Sequence, residues 1–171
     1  MDFFKLAEER RSIRAYKPDE ISEKDFKMIL ETANLAPSAG NLQSYEIFVI
    51  RDREKKEHLV KAAGEQAFIA QAPVVLVFCA CPYKSALKYG KRGLEMYAIQ
   101  DATISAAFAM LAASSLGIGS VWVGAFEDDK VLDVLENPRN VKPVAIIPFG
   151  YPDESPLPGA RKRLSEIVHE I

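Results

Sequence analysis

The amino-acid sequence predicts a single α+β domain, and three features of the chain support this class. Segments with helical spacing alternate with short apolar strands. One of these strands, "PVVLVFCA", is a continuous apolar run, which is typical of a strand covered on both faces. One helix, around residues 102–113, is almost wholly apolar and therefore requires cover on every side. A chain of 171 residues suits one domain, and we assign residues 1–171 to it.

The first half of the chain contains well-marked helix and strand boundaries. The segment "ISEKDFKMILETANLAP" predicts a helix with Ser22 as its N-cap, Ile21 and Phe26 as a hydrophobic staple, and Pro37 just past its end. The segment "YEIFVI" predicts a strand. The segment "REKKEHLVKAAG" predicts a helix that ends at Gly64, and a short helical piece in "EQAFIAQA" follows it.

The second half begins with the buried strand "PVVLVFCA" and continues with "CPYKSALKYGKRG", which predicts a surface loop. A loop at residues 82–93 next to a site is able to act as a lid. The longest helical segment is "LEMYAIQDATISAAFAMLAASSLG". After it come the segment "GSVWVGAF", a helix in "EDDKVLDVLEN" and the segment "VKPVAIIPFGYP".

The long apolar helix carries a prediction about assembly. Its small side chains allow close helix approach, so we expect a dimer seam around Ala106 and Ala109. The alternative is a central helix in the core of a monomer. Because Asp101 and the serines at 114 and 115 interrupt the segment, it is too short to span a bilayer comfortably, and we expect no membrane association.

Composition and charge exclude several classes of function. The 22 Lys and Arg nearly balance the 24 Asp and Glu, so the chain offers no general attraction for nucleic acid. The two cysteines, Cys79 and Cys81, lie in an apolar strand, and only two histidines are present, which indicates buried small side chains rather than a metal site. The start "MDFFKLAEERR" lacks the features of a secretory signal, so we expect a cytoplasmic protein.

The chemical motifs indicate a cofactor rather than a catalytic side chain. The sequence contains no G-x-S-x-G, H-E-x-x-H or phosphate-loop motif. The glycines of "GIGSVWVG" follow a helix and precede a strand, which is the wrong order for a dinucleotide fingerprint. Two cationic clusters, "RRSIR" near the start and "ARKR" near the end, are suited to meet around one phosphate.

Five segments resemble the nitroreductase family of FMN-dependent oxidoreductases, in family order and spacing. They are "RRSIRAY", "LAPSAGNLQSYEIFVI", "YAIQDATISAAFAMLAASSLGIGSVWVGAF", "PFGYPDE" and "RKRLSEIVHE". The resemblance covers almost the whole chain. It implies a nitroreductase-like fold with a central, mostly antiparallel sheet flanked by helices, a long buried helix at a dimer interface, and FMN sites between the two subunits.

The resemblance also implies a set of cofactor-binding residues. The opening and closing basic motifs would hold the flavin phosphate, the Ala-Pro-Ser segment would come from the other subunit, and one backbone pair would approach flavin N5. In that order these residues are Arg10, Arg11, Ser12, Arg14, Arg161 and Arg163; Pro37, Ser38, Ala39 and Asn41; and Gly124 and Ala125. No catalytic side chain is implied, because the flavin carries the chemistry.

The sequence departs from the family pattern in two places. The usual Gln-Pro-Trp is "QSY" here, with Ser44 and Tyr45 in the last two positions. Ala125 stands where a second glycine is usual, and it keeps the backbone N–H that the position needs.

The expected function follows from the resemblance. It implies a homodimeric FMN enzyme that takes hydride from NAD(P)H and passes it to an acceptor such as a nitroaromatic or a quinone. One alternative is a non-catalytic FMN-binding or redox-sensing module. Another is a flavin-consuming or dehalogenating specialist of the same superfamily.

Overall fold

The fold is described here from a computed structural model that covers residues 2–171. Within these residues the chain forms seven α-helices and four β-strands. The helices are α1 Phe3–Glu9, α2 Glu23–Asn34, α3 Arg53–Ala62, α4 Phe68–Gln71, α5 Pro82–Arg92, α6 Ala98–Ser115 and α7 Asp128–Val134. The strands are β1 Tyr45–Ile50, β2 Val74–Ala80, β3 Gly119–Ser120 and β4 Lys142–Gly150.

The four strands form one antiparallel sheet in the order β1-β2-β4-β3. The strand β2 lies inside the sheet and is buried along its whole length, as its continuous apolar run predicts. It pairs with β1 so that Tyr45 lies opposite Ala80, and with β4 so that Val74 lies opposite Phe149. The predicted α+β class and antiparallel sheet are therefore confirmed.

Two hydrophobic layers cover the sheet, one on each face. Because side chains alternate along a strand, Leu76 and Phe78 of β2 face the layer that contains α2 and α6. Val75 and Val77 face the other layer, which contains α3 and α7. The candidate site lies on the face of the sheet that α6 covers, and α3 and α7 cover the other face.

The helix boundaries that have local signals are where the sequence places them. The Ser22 side chain accepts a hydrogen bond from the backbone N–H of Asp25 at 3.0 Å, which is the expected N-cap of α2. Ile21 and Phe26 are both buried in the same core cluster, as the hydrophobic staple predicts. The helix α3 ends at Ala62, and Gly64 follows with a φ of +67°.

The prediction of a surface loop at residues 82–93 is wrong. The segment forms α5, with Pro82 in the first helical turn, where a missing N–H costs no hydrogen bond. A π-helical turn, Gly93–Tyr97, then leads directly into α6. Gly93 allows this packing, because a Cβ at that position would lie 2.5 Å from the backbone carbonyl oxygen of Ser85. Ser85 is the one buried residue within α5, and the helix packs chiefly against the π-helical turn that follows it.

The combined stretch Pro82–Ser115 has the length and apolar composition of a membrane span, at 34 residues. Gly90, with φ +53° and ψ −136°, interrupts it. The apolar part is α6, whose buried residues pack against the sheet and α2. This packing accounts for the apolar residues on the inner face of α6.

The helix α6 is apolar on both faces, but the chain covers only one of them. Ala106 and Ala109 are fully buried against α2 and the sheet, so the prediction of a dimer seam at these two residues is wrong. The opposite face carries Ala107, which is exposed, and the half-buried Ile104 and Phe108. A helix turns by 100° per residue, so hydrophobicity alone does not reveal which alanine faces inward.

Both cysteines are buried. Burial raises the pKa of the Cys79 thiol to about 12 and that of the Cys81 thiol to about 11, so both remain protonated at neutral pH. They act as small core side chains, as the sequence predicts. Across residues 2–171, no group of three or more His, Cys, Asp or Glu residues is placed to hold a metal ion.

Candidate functional site

The N-terminal arginine motif is held in place by contacts to the edge of the sheet. Ser12 forms a parallel bridge with Ser120 of β3, and the N–H of Ile13 donates to the Ser120 carbonyl at 3.1 Å. The buried Tyr16 donates its hydroxyl to the Ile13 carbonyl at 2.5 Å. Burial, reinforced by the Glu154 carboxylate, raises the pKa of Tyr16 far above its usual value, so the hydroxyl stays a donor. Residues 10–14 are thereby fixed beside β3.

A cleft of about 510 Å³ lies between this motif and the chain near residues 156–161. Four predicted site residues from the motif and one from the closing basic segment line it: Arg10, Arg11, Ser12, Arg14 and Arg161. A second cleft of about 190 Å³, which includes Ser120 and Glu154, adjoins the first through Arg10 and Arg11. The structure thus brings together cationic groups from both ends of the chain.

The cations of this cleft have no counter-ion of their own. In the part of the chain that the structure describes, no carboxylate lies within 4.0 Å of the guanidinium groups of Arg10, Arg11, Arg14 or Arg161. Arg11 instead donates to the backbone carbonyls of Glu8 and Arg10. A cluster of unpaired guanidinium groups is suited to forked contacts with a phosphate.

Arg163 is not part of the cleft. Its guanidinium Nε lies 3.8 Å from a carboxylate oxygen of Glu166, and its backbone N–H donates to the same carboxylate at 2.8 Å. The pair caps a short helical turn, Leu164–Glu166, on the exposed C-terminal segment. Within one chain, therefore, Arg161 joins the arginine cleft and Arg163 does not.

The Ala-Pro-Ser segment lies elsewhere on the molecule. A cavity of about 560 Å³ is lined by Pro37, Ser38 and Ala39, by Tyr97, and by residues 100, 101, 103 and 104 in the first turns of α6. The arginine clefts instead include Ser114, at the other end of α6. Thirteen residues of α-helix separate Asp101 from Ser114, so the two groups of predicted residues lie about 20 Å apart along α6.

The turn after this segment has an uncommon backbone conformation. Asn41 and Gln43 adopt positive φ values of +56° and +49°, and Gly40 has φ +57°. Gly40 also lies directly under the side chains of Tyr89 and Lys88 from α5, which leave no room for a Cβ. The helix α5, where the sequence predicted a loop, therefore covers the turn that carries Asn41. Whether this cover acts as a lid stays a prediction.

The turn is anchored by Asp101, a residue that the sequence reasoning did not select. Asp101 is only 2% exposed, and its carboxylate accepts the backbone N–H groups of Ala39 at 2.9 Å and Ser44 at 3.2 Å. The carbonyl of Ser44 accepts the N–H of Cys81 at 2.8 Å, which ties the turn to the end of β2 as well. A single carboxylate within an apolar helix was the available signal, because a buried charge requires hydrogen-bond partners.

Gly124 and Ala125 follow β3 on an extended segment. Val123 pairs with Ile146 of β4, after which the chain leaves the sheet. The backbone N–H groups of Gly124 and Ala125 donate to no acceptor within residues 2–171. Ala125 is not among the non-glycine residues with positive φ in that range, so the alanine is accommodated without backbone strain.

The comparisons with known proteins agree with this geometry. The Nitroreductase family model matches residues 7–68 and 58–151. An Archaeoglobus fulgidus protein with a provisional name, NADH dehydrogenase/NAD(P)H nitroreductase, is 35% identical over 154 residues, which are 88% of this chain and 85% of the relative. The chain belongs to the nitroreductase family.

Two further relatives are longer than this chain. An FMN reductase [NAD(P)H] from Bacillus subtilis is 29% identical over 183 residues, covering 99% of this chain and 73% of the relative. The solved structure of an NADPH:FMN oxidoreductase from Vibrio harveyi, complexed with NAD+, has a TM-score of 0.90 and 28% identity. The match covers 98% of this chain and 76% of the Vibrio chain.

The Asp101 anchor generates a prediction about stability. In Asp101→Asn the side chain keeps one acceptor oxygen and gains an NH₂ group that faces a backbone donor. We expect the free energy of unfolding to fall by about 1.5–3 kcal/mol, since a hydrogen bond to a buried charge is lost. Urea unfolding followed by circular dichroism measures this change. Gln100→Asn, on the exposed neighbouring position, is the control, and equal stability of both variants would contradict the anchoring role.

Proposed function

We propose that this chain is an FMN-dependent oxidoreductase that transfers hydride from NAD(P)H, through the flavin, to an acceptor such as a nitroaromatic or a quinone. Membership of the nitroreductase family supports this activity, as do relatives named FMN reductase [NAD(P)H] and NADPH:FMN oxidoreductase. We expect the protein to work in the cytoplasm, without a nucleic-acid or membrane partner.

The observation that carries the proposal is the unpaired arginine cleft beside the segment at residues 119–125. The cleft offers guanidinium groups for a phosphate, from Arg10 and Arg161 above all. The free N–H groups of Gly124 and Ala125 lie at the end of the same segment. These two features fit the phosphate and the ring of one flavin mononucleotide. Phosphate recognition favours FMN over riboflavin.

The bound flavin would supply the hydride and electron chemistry, as flavins do in this class of enzyme. The protein binds and orients the flavin and supplies the electrostatic environment around it. In our proposal the N–H groups of Gly124 and Ala125 donate toward the N5 edge of the ring, and the guanidinium groups hold the phosphate. Fixed donors of this kind stabilise negative charge that develops on a bound group without reorganising. The chain therefore requires no nucleophilic side chain.

We further propose that each site is shared between two chains. A single flavin cannot reach both the arginine cleft and the segment at residues 37–41, because about 20 Å of α6 separates them. A two-fold axis that packs α6 antiparallel against its partner copy would bring each arginine cleft close to the partner's copy of that segment. Such packing would also cover the outer face of α6, which carries Ile104, Ala107 and Phe108.

The phosphate contact is tested by comparing two flavins. Arg10→Ala or Arg161→Ala should weaken FMN by about 1.5–3 kcal/mol and leave riboflavin binding almost unchanged, since only a charge-assisted contact to phosphate is removed. Titration of the apoprotein with each flavin measures the difference. Arg139→Ala, an exposed arginine outside the cleft, is the control. Equal losses for both flavins would show that these arginines do not contact the phosphate.

The dimer is tested with two adjacent alanines of α6. Ala107 is exposed in the chain, so Ala107→Asp should leave a folded protein that sediments as a monomer and binds FMN weakly. Ala106 is fully buried, so Ala106→Asp should instead unfold the chain, because an unpaired charge in the core has no hydration. Sedimentation and circular dichroism separate the two results. If Ala107→Asp still formed a dimer with the subunit dissociation constant of the parent protein, the proposed α6 interface would be wrong.

The activity itself is tested by anaerobic reduction. The purified protein should show the absorption bands of oxidised flavin, and NADH or NADPH should bleach them within seconds to minutes. Addition of a nitroaromatic or a quinone should then restore the bands. Bound flavin that neither nucleotide reduces would instead support a non-catalytic binding module. A protein that holds no flavin would overturn the proposal.

A further inference from the structure

Trp122 lies in the middle of the segment that joins the arginine cleft to Gly124. Neighbouring side chains along this extended segment alternate between its two sides. Val121 and Val123 are 2% and 3% exposed and pack in the cluster with α3 and α7. Trp122 therefore faces the opposite side, the same side as Ser120, which lines the smaller cleft that adjoins the arginine cleft.

The indole of Trp122 is held against the backbone of Gly124 and is open to solvent on its other side. A Cβ built on Gly124 would lie 3.1 Å from the indole Nε1 of Trp122, so the ring rests where a side chain at residue 124 would otherwise stand. Trp122 is 36% exposed, although both of its neighbours are in the core. None of the side-chain hydrogen bonds within residues 2–171 involves its indole N–H.

The segment that carries Trp122 spans the distance between the two features proposed to hold the flavin. Four residues of extended chain separate Ser120 from Gly124, a distance of about 13 Å. A ligand that follows this segment from the arginine cleft to the free N–H groups of Gly124 and Ala125 would pass the exposed face of Trp122. An exposed aromatic ring at that point offers a flat, apolar surface for a planar heterocycle.

We propose that Trp122 forms a wall of the flavin site and packs its indole against the isoalloxazine ring. This inference rests on the proposed FMN function and adds a residue that the family motifs did not select. The arginines hold the phosphate end of the ligand, whereas Trp122 contacts the ring end. Loss of the Trp122 contact should therefore lower the affinity of the apoprotein by the same factor for every flavin that carries the ring, with or without a phosphate.

The experiment compares FMN, riboflavin and lumiflavin on the apoprotein. Trp122→Leu should weaken all three by a similar factor, about tenfold, since an aromatic stacking surface is removed. Trp122→Phe should keep most of the affinity. Arg10→Ala provides the opposite pattern, because it should weaken FMN alone. Tyr83→Leu replaces an exposed aromatic residue of α5, outside this segment, and is the matched control.

A second measurement uses the unaltered protein, in case the variants fold poorly. Trp122 is the only tryptophan of the chain, so its fluorescence reports on this position alone. Acrylamide should quench it readily in the apoprotein and at least threefold less efficiently once FMN is bound. Unchanged acrylamide accessibility, or FMN affinity within twofold of the parent in Trp122→Leu, would overturn the inference while the proposed function stands. A parent protein that binds no flavin would overturn both.

Discussion

The helix α6 must be covered on both faces, and one chain covers only one. The inner face packs Ala102, Ala106 and Ala109 against the core without any gap to solvent. The outer face remains apolar and partly exposed, with Phe108 and Ile104 upon it. Burying apolar area is worth about 25 cal/mol per Å², and this is the physical basis of the proposed packing of α6 against a partner copy. The architecture of the candidate site follows from this constraint, because its two halves lie at opposite ends of the same helix.

Asp101 gives α6 a second role as the anchor of an irregular turn. Residues with positive φ, such as Asn41 and Gln43, are costly outside glycine, and surrounding contacts must hold them. Both oxygens of the Asp101 carboxylate accept backbone N–H groups from this turn, and α5 packs over Gly40. A buried carboxylate is tolerated there because its hydrogen bonds replace its hydration. The rigid helix thereby positions the turn that we assign to the partner's flavin.

The other half of the candidate site depends on charge that the fold leaves unpaired. The chain as a whole is nearly neutral, at −2, and most ion pairs on its surface lie between exposed side chains. The arginine cleft differs: Glu8 lines it and Glu154 accepts the backbone N–H of Arg14, but no carboxylate in residues 2–171 lies within 4.0 Å of its guanidinium groups. The free N–H groups at residues 124 and 125 add two neutral donors at the far end of the same segment. In our proposal these features together recognise a ligand with an anionic end and a planar, hydrogen-bonding end.

Much of this protein could be read from the sequence because the relevant physics is local. The N-cap at Ser22, the stop at Gly64 and the buried run of β2 depend on residues that are neighbours in the chain. The family and its cofactor were recognised from motifs, and the structure gathers Arg10 and Arg161 from opposite ends of the chain into one cleft. The roles of the individual site residues remain predictions.

Tertiary structure alone decided the features that depend on distant neighbours. The sequence did not show that residues 82–92 form a helix, because Gly90 interrupts the pattern and the close approach of Gly93 to the Ser85 backbone arises only in the folded chain. It did not distinguish the inward Ala106 from the outward Ala107, because adjacent alanines differ only in the direction that the rest of the fold gives them. The hydrogen bonds of Asp101 join residues about sixty positions apart in the chain, and no local pattern encodes such a contact.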